Sequence, residues 1–339
     1  MTYFTINYII KVSKLQGEKY MSDLLKKAML YDYPEQLPVL VGILPAAWLK
    51  YREELVRLIK EYPDLYPNIP DINNLDAIIP SSYHYGNFTD EWGCVWSNIN
   101  EGMESIVTEH PIKTRDEILN LKIPENRDGR LPHGFMYLRL LDLRGFEEAM
   151  IDFAEECDEL QILIEKVLEY NCHQIEALLP IAGEIFVVGD DLGMQTGLAI
   201  GAEKWRKYIK PCYQKLYKMI RDANKLVYMH TDGQIFEIMP DLIECGVNMI
   251  NPQFRANGLD NLVRVCKGKI PINLDLDRQL FPFATPSQLD NHVRECVEAL
   301  YLPQGGLGIN IELSYEVPLE NMAAILNAAR KYRTYNGHF

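Results

Sequence analysis

The sequence predicts an α/β fold, and three observations favour a (β/α)8 barrel over an open, doubly wound sheet. Short apolar runs alternate with amphipathic segments, most regularly through the second half of the chain. Several apolar runs end in a polar side chain, as expected where the strand ends gather around one mouth. The first run is not followed by the G-x-G-x-x-G motif that a nucleotide-binding open sheet favours.

The strand candidates are short, rich in Val and Ile, and almost continuously apolar. Strands of a parallel sheet have this composition because helices cover both faces of the sheet. The candidates are LPVLVGI (37–43), IFVVGD (185–190), LVYMH (226–230), VNMIN (247–251), PINLD (271–275) and GINIE (308–312).

The helix candidates carry apolar residues at intervals of three and four positions. They are 46–62, 146–179, 202–223, 235–245, 259–268, 286–301 and 319–333. Thr285, Pro286 and Gln288 form a capping-box pattern that predicts a helix start. Pro211 predicts an interruption of the helix that contains it, because proline lacks the backbone N–H and clashes with the preceding turn.

We expect a single barrel domain over residues 21–339, preceded by an N-terminal extension over residues 1–20. The segment 63–132 is different from the rest, because it contains loops, aromatic residues and prolines with little periodicity. It is predicted to be a loop-rich cap, or insertion, over one end of the barrel.

Charge and cysteine content exclude several classes of function. The 339 residues include 34 Lys and Arg against 48 Asp and Glu, a formal net charge of −14, which disfavours binding to nucleic acid. The seven cysteines are an odd number without a C-x-x-C pair, as expected in a reduced, cytoplasmic protein. No apolar run approaches the about 20 residues that span a bilayer, and the N-terminus lacks signal-peptide features, so neither membrane insertion nor secretion is expected.

The sequence His230-Thr231-Asp232-Gly233 follows a strand candidate and combines a nitrogen ligand with a carboxylate. Alone, it is better explained by an Asp-Gly turn beside a hydrogen-bonded histidine. Glu312 adds to the metal interpretation, because it ends an apolar strand and carboxylates are seldom buried without a partner. His230, Asp232 and Glu312 are therefore the predicted ligands of a Zn²⁺ ion with one open position, and His230 and Asp232 are predicted catalytic residues.

Further polar residues end the other strand candidates. Asp190 and Asp191 are predicted as a catalytic base and a substrate-binding residue, with capping of the following turn and solvation as the alternatives. Asn251, Gln253 and Asp275 are predicted to bind substrate by hydrogen bonds, or simply to end their strands. His133 is left open between the mouth of the barrel and the core.

The segment 81–96, SSYHYGNFTDEWGCVW, concentrates aromatic residues in a loop region. Tyr83 and His84 are predicted substrate-binding residues on this basis, because a pocket for an aromatic ligand has such a composition. Ordinary packing within a cap explains the same composition, and both interpretations are kept.

Several motifs together resemble the uroporphyrinogen decarboxylase superfamily over residues 21–333. They are TDEWGCVW, VVGDDLGMQTGL, EKWRKYIKPCYQKLYKMI, HTDG, ECGVNMINP and VPLENM. The resemblance implies a distorted TIM (β/α)8 barrel with its site at the C-terminal mouth. Decarboxylases of this superfamily are often dimers, so a homodimer is also an expectation.

Two departures bear on the activity that the resemblance implies. The R-Q-A-G-R signature of true decarboxylases is missing, since the corresponding region reads LPVLVGILPAAWLKYREE. In the corrinoid-linked methyltransferase branch, H-x-C and a later Cys bind zinc, whereas His230 is here followed by Asp232, with Glu312 near the last position. A histidine–carboxylate set is harder than a thiolate set and suits an oxygen substrate.

The resemblance therefore implies a zinc-dependent methyltransferase that takes a methyl group from a methoxylated compound, such as an aryl methyl ether, and passes it to a corrinoid protein. The aromatic segment 81–96 would hold the ring. The alternative is a metal-free decarboxylase of a smaller acid, with Asp190 and His230 as acid and base. A non-catalytic binding protein is the third hypothesis.

Overall fold

The computed structural model describes residues 16–337, which form two compact units. The first unit contains the chain up to His84, Asn100–Glu104 and the chain from Asn248 onward. The second contains Tyr85–Ile99 and Ser105–Val247. Residues 1–15 of the predicted extension lie outside the described residues, and the predicted boundary at residue 21 falls inside a helix. The predicted domain limits stay a prediction.

The described residues contain nine strands, and all six strand candidates are among them. The strands are β1 (Val39–Ile43), β2 (Gly86–Thr89), β3 (Val95–Asn98), β4 (Ile106–Glu109), β5 (Ile185–Gly189), β6 (Leu226–Thr231), β7 (Met249–Pro252), β8 (Ile272–Asp275) and β9 (Leu307–Leu313).

Thirteen α-helices lie within the same described range. They are α1 (Gln16–Leu30), α2 (Pro45–Ile59), α3 (Arg115–Asn120), α4 (Tyr137–Arg144), α5 (Phe146–Glu155), α6 (Asp158–Leu178), α7 (Gly201–Lys204), α8 (Lys210–Asp222), α9 (Met239–Glu244), α10 (Phe254–Asn257), α11 (Leu259–Cys266), α12 (Pro286–Leu300) and α13 (Leu319–Tyr332).

The first unit is built on four parallel strands in the order β1-β9-β8-β7. Strand β9 pairs with β1 on one side and β8 on the other, with Val41 opposite Ile311 and Leu274 opposite Ile309. Every residue of these four strands is buried. This agrees with the apolar composition that predicted strands covered on both faces.

The second unit contains the parallel pair β5-β6 and an antiparallel sheet in the order β2-β3-β4. The antiparallel sheet was not predicted, because its strands have four residues each and only Asn98 among their twelve residues is buried. The segment 63–132 thus has more regular structure than the sequence indicated. Its role as a cap stays a prediction.

Two long helix candidates are divided in the structure. The prediction of one helix over 146–179 was wrong, because Glu156 adopts a left-handed conformation (φ 55°) that ends α5 before α6 begins. The interruption predicted near Pro211 is present as a π-helical turn over Trp205–Ile209, between α7 and α8. The capping box at the start of α12 is also present, with the Thr285 N–H donating to Gln288 Oε1 at 2.8 Å.

No helix within residues 16–337 combines the length and the apolar character that a membrane span requires.

A buried ion-pair network joins three helices of the second unit. Asp152 on α5 is 1% exposed and accepts hydrogen bonds from Arg144 Nε at 2.9 Å and Arg115 Nε at 2.7 Å. Arg144 is also buried and donates to Glu148, whose side chain is half-exposed. Asp152 is therefore the buried counter-charge on which the position of Arg144 depends.

We expect the Asp152→Ala variant to lose about 3 kcal/mol of unfolding free energy, because Arg144 keeps its charge in a buried position after its buried partner is removed. Glu148→Ala is the matched control and should cost less than about 1 kcal/mol, since the side chain of Glu148 is half-exposed. Urea unfolding of both variants measures the difference. Equal losses in the two variants would contradict this account.

Candidate functional site

The loops that follow β5 and β6 touch through two glycines. A Cβ atom on Gly233 would lie 2.1 Å from the carbonyl carbon of Gly193, which no side chain tolerates. The Gly193 N–H donates to the carbonyl oxygen of Asp232 at 3.1 Å, and the Asp232 N–H donates to Asp191 Oδ1 at 2.8 Å. These contacts hold Asp191 and Asp232 close together.

Asp190, the last residue before the first of these loops, is fully buried. Its carboxylate accepts the backbone N–H groups of Met136, Tyr137 and Leu138 and the hydroxyl of Tyr213, at 2.5–3.2 Å. Burial raises the pKa of Asp190, although these hydrogen bonds and the charge of His133 act in the opposite direction. Such a saturated carboxylate is suited to positioning the start of α4, and the role of Asp190 as a catalytic base stays a prediction.

His133, Asp191 and His230 form a cluster in the second unit. Their ligand atoms all lie within 4.8 Å of one another, and among the described residues this is the group of His, Cys, Asp and Glu with metal-like spacing. His133 Nε2 lies 3.0 Å from Asp191 Oδ2, and His230 Nε2 lies 3.8 Å from Asp191 Oδ1. Asp232 Oδ1 adds a further oxygen 3.3 Å from His230 Nε2.

The histidines and carboxylates of this cluster stabilise each other's charged forms. Burial lowers the pKa of His230, but Asp232 and Asp191 outweigh it and the net pKa is raised. Burial raises the pKa of Asp191, but His133 and His230 outweigh it and hold the pKa well below its usual range. His230 is fully buried, whereas the side chains of Asp191 and Asp232 are about a quarter exposed. The cluster is thus accessible from its carboxylate side.

The donor set fits a divalent transition metal. Two imidazole nitrogens and one carboxylate oxygen are a common ligand set of catalytic zinc and of non-haem iron, which both keep a position open for substrate. His230 was predicted as a ligand, whereas the structure brings Asp191 and His133 to it. His133 is distant in the chain and precedes α4, so only the His-Gly pair in LPHGFM signalled it.

We expect the Gly233→Ala variant to lose the spacing of the cluster, because the added Cβ would overlap the backbone of Gly193. Gly201→Ala is the matched control, since Gly201 has a similar positive φ of 71° but open space around it. Both variants should lose about 1–2 kcal/mol of stability to backbone strain, and Gly233→Ala a further 1–3 kcal/mol to the overlap. Chemical unfolding tests this, and equal destabilisation would contradict the close approach.

In the first unit, Glu312 pairs with an arginine that the sequence reasoning missed. Arg278 Nη1 donates to Glu312 Oε1 at 2.5 Å, and Arg278 Nε lies 3.6 Å from Asp275 Oδ2. Asn310 donates to the other oxygen of Asp275 at 2.9 Å. Arg278 follows the end of β8 by three residues, which was the available signal. The role of Glu312 as a metal ligand stays a prediction.

The remaining predicted residues of the first unit have varied environments. Asn251 donates to the backbone oxygen of Asn273 at 2.6 Å, and Gln253 forms a parallel backbone bridge with Asp275. Tyr83 is buried, and its pKa is raised by burial first and then by the charges of Glu104 and Glu312. His84 is partly exposed, with Nδ1 2.6 Å from Glu101 Oε1. Substrate binding by these residues and by Asp191 stays a prediction.

The aromatic residues of 85–96 have structural partners within the second unit. Asp90 accepts hydrogen bonds from the backbone of Trp92 and Cys94, from Trp96 Nε1 at 3.0 Å and from Arg139 at 2.7 Å. The ring of Trp92 also packs edge-on against Tyr170, with centroids 5.1 Å apart. These contacts favour the packing interpretation of this half of the aromatic segment.

The loop after β8 is supported by a buried histidine. Arg255 donates two hydrogen bonds to Asp277, at 2.8 and 2.7 Å, and the Asp277 N–H donates to His292 Nε2 at 3.0 Å. His292 therefore accepts through Nε2 and is neutral in this arrangement. Burial lowers the pKa of His292, although the charges of Asp277 and Glu295 oppose this.

This arrangement predicts a loss of stability at mildly acidic pH. The unfolded chain has the ordinary histidine pKa of about 6.5 and binds the proton first, so the contribution of His292 is complete above that pH and declines below it. We expect the unfolding free energy to fall between about pH 7.5 and about pH 5.5 by less in His292→Gln than in the unmodified protein. Identical declines would contradict this role of His292.

The sequence model of the uroporphyrinogen decarboxylase (URO-D) family matches residues 138–332 of the 339. The chain belongs to this family. A search of curated proteins gives no match. Among solved structures, a methyltransferase from Methanosarcina mazei is similar, with a TM-score of 0.62 and 16% identity over 91% of this chain and 98% of that chain. A dihydropteroate synthase from Xanthomonas albilineans gives a TM-score of 0.29 and 15% identity over 43% of this chain and 52% of that chain.

These comparisons confirm the predicted superfamily and the predicted fold class, an α/β fold of the distorted (β/α)8-barrel type. At 16% identity, the likeness to the methyltransferase concerns the fold.

Proposed function

We propose that the chain is a zinc-dependent methyltransferase that moves a methyl group from a methoxylated compound, such as an aryl methyl ether, to a corrinoid protein. The observation that carries the proposal is the His133–Asp191–His230 cluster, with its ligand atoms within 4.8 Å. Membership of the URO-D family and the fold shared with a methyltransferase support it.

His133 and His230 would hold the metal through ring nitrogens, and Asp191 through a carboxylate oxygen. Asp232, which was predicted as a ligand, lies 3.3 Å from His230 and is in reach of a further position. When bound, the metal supplies Lewis acidity toward an ether oxygen, which makes the alkoxide or phenoxide a better leaving group. The protein itself orients the two imidazoles and keeps the rings of His133 and His230 largely out of bulk water.

The composition of the cluster favours an oxygen substrate over a thiol. It combines imidazole and carboxylate ligands and contains no thiolate, so it is a hard donor set. The missing arginine signature and the net charge of −14 also argue against a polyanionic porphyrinogen. A small methoxylated compound meets neither obstacle.

A decarboxylase of a smaller acid is the second candidate, and the family match favours it. It would use Asp190 and His230 without metal. The four hydrogen bonds to Asp190 leave little capacity for a substrate contact. The two candidates differ in their need for metal, which makes them separable by experiment.

We expect the protein expressed with added zinc to contain about one metal ion per chain, the number that the cluster found among residues 16–337 supports. A His133→Ala, His230→Ala double variant should contain background metal only. His173→Ala on α6, outside the cluster, is the control and should retain the metal. Elemental analysis by mass spectrometry gives the metal content, and an unmodified protein without stoichiometric metal would contradict the proposal.

The same preparations decide between the two activities. With an aryl methyl ether and cob(I)alamin, the metal-loaded protein should form methylcobalamin, seen in the absorption spectrum, and a chelator should lower the rate at least about 100-fold, as expected when a Lewis acid is removed. Release of CO₂ from a carboxylic acid, at a rate that the chelator does not change, would support the decarboxylase instead.

A further inference from the structure

The first unit contains a cavity of about 730 Å³ beside Glu312 and Arg278. This volume lies within the range of about 300–1,000 Å³ of small-molecule sites. One wall is apolar, formed by Met103, Leu280, Pro282 and Phe283. Phe283 is 88% exposed, so a large ring is presented to solvent at this cavity. Together with the other residues of this wall, the ring gives the cavity an apolar surface against which a ligand ring can pack.

Glu312 gives the cavity a buried acceptor. The side chain of Glu312 is 3% exposed and lines the cavity. Its Oε1 accepts from Arg278, whereas the buried Oε2 has no hydrogen-bond partner among residues 16–337. A buried carboxylate oxygen without a partner is costly, so a donor on a bound molecule would restore the missing hydrogen bond.

The charges around the cavity limit the kind of donor. Both arginines of the lining already have carboxylate partners, Arg255 with Asp277 and Arg278 with Glu312. A carboxylate on the ligand would therefore gain little from them and would face the negative charge of Glu316, which also lines the cavity. An ammonium group at Oε2 would be repelled by the nearby guanidinium of Arg278. A hydroxyl group meets neither penalty.

We infer that this cavity binds an uncharged aromatic molecule that carries a hydroxyl group, and that the hydroxyl donates to Glu312 Oε2 while the ring packs against Phe283. The inference goes beyond the proposed function and does not rest on it. It assigns Glu312 to ligand binding and not to the metal.

A matched pair of probes tests this inference by calorimetry on the full-length protein. 2-Methoxyphenol has the hydroxyl donor, and in 1,2-dimethoxybenzene a methyl group replaces the hydroxyl hydrogen. We expect 2-methoxyphenol to bind at least about tenfold more tightly, the lower end of the value for a hydrogen bond to a charged acceptor. 4-Hydroxy-3-methoxybenzoate should bind more weakly than 2-methoxyphenol. Equal affinity for the first two probes, or binding of neither, would overturn the inference.

The Glu312→Gln variant probes the acceptor itself. Because Arg278 can only donate, the glutamine oxygen should face Arg278 and its NH₂ group the cavity. The preference for 2-methoxyphenol should then fall to about twofold or less, since a donor would face the hydroxyl. The zinc content should be unchanged, and loss of zinc would instead support Glu312 as a metal ligand and overturn the assignment.

Phe283→Ala keeps the inference testable if the glutamine variant fails to fold. The ring of Phe283 is exposed, so its removal should leave folding intact. The affinities for both neutral probes should fall by a similar factor of about five or more. Phe146→Ala, an exposed phenylalanine of the second unit, is the control and should change neither affinity. Unchanged binding in Phe283→Ala would overturn the inference.

Selective binding without methyl transfer would support this inference and contradict the proposed function, whereas methyl transfer without selectivity would do the reverse.

Discussion

The buried carboxylate of Asp190 is the interaction on which the candidate metal cluster depends. Asp190 follows the last residue of β5, and its oxygens accept from the first residues of α4 and from Tyr213 on α8. The Asp190 N–H donates to the backbone oxygen of His230. One residue therefore connects the segments that carry His133, Asp191 and His230.

The sequence predicted the strands well because buried parallel strands have an unambiguous composition, and all six candidates are present within a few residues of their predicted bounds. It failed where one residue changes the backbone, as at Glu156, since a left-handed glutamate has no sequence signature of its own. The short strands β2, β3 and β4 escaped prediction because only their pairing stabilises them.

The candidate site was predicted in part for a related reason. The strand-end rule found His230 and Asp191, because a parallel strand delivers its last residues to one edge. The rule does not apply to His133, which lies in the segment before α4. A backbone hydrogen bond from the Gly134 N–H to the Gly189 oxygen holds this segment beside the end of β5. Arg278 was not predicted either, because a lone arginine in a loop is more often a solvated charge. Which side chains pair with each other at the site depends on tertiary contacts, which the sequence pattern does not contain.

The contact between Gly193 and Gly233 has a consequence for motion. The backbones of the two glycines touch, and hydrogen bonds join their loops, from Gly193 N–H to the Asp232 oxygen and from Gln234 N–H to the Met194 oxygen. Neither loop can therefore move outward without displacing the other. The two loops behave as one body, and the conformational entropy that an ion would otherwise remove on binding has already been lost during folding. The affinity of this cluster for a metal ion thus depends on the chemistry of the donor atoms more than on the cost of ordering the loops. Any motion that controls access to the cluster has to come from other parts of the chain.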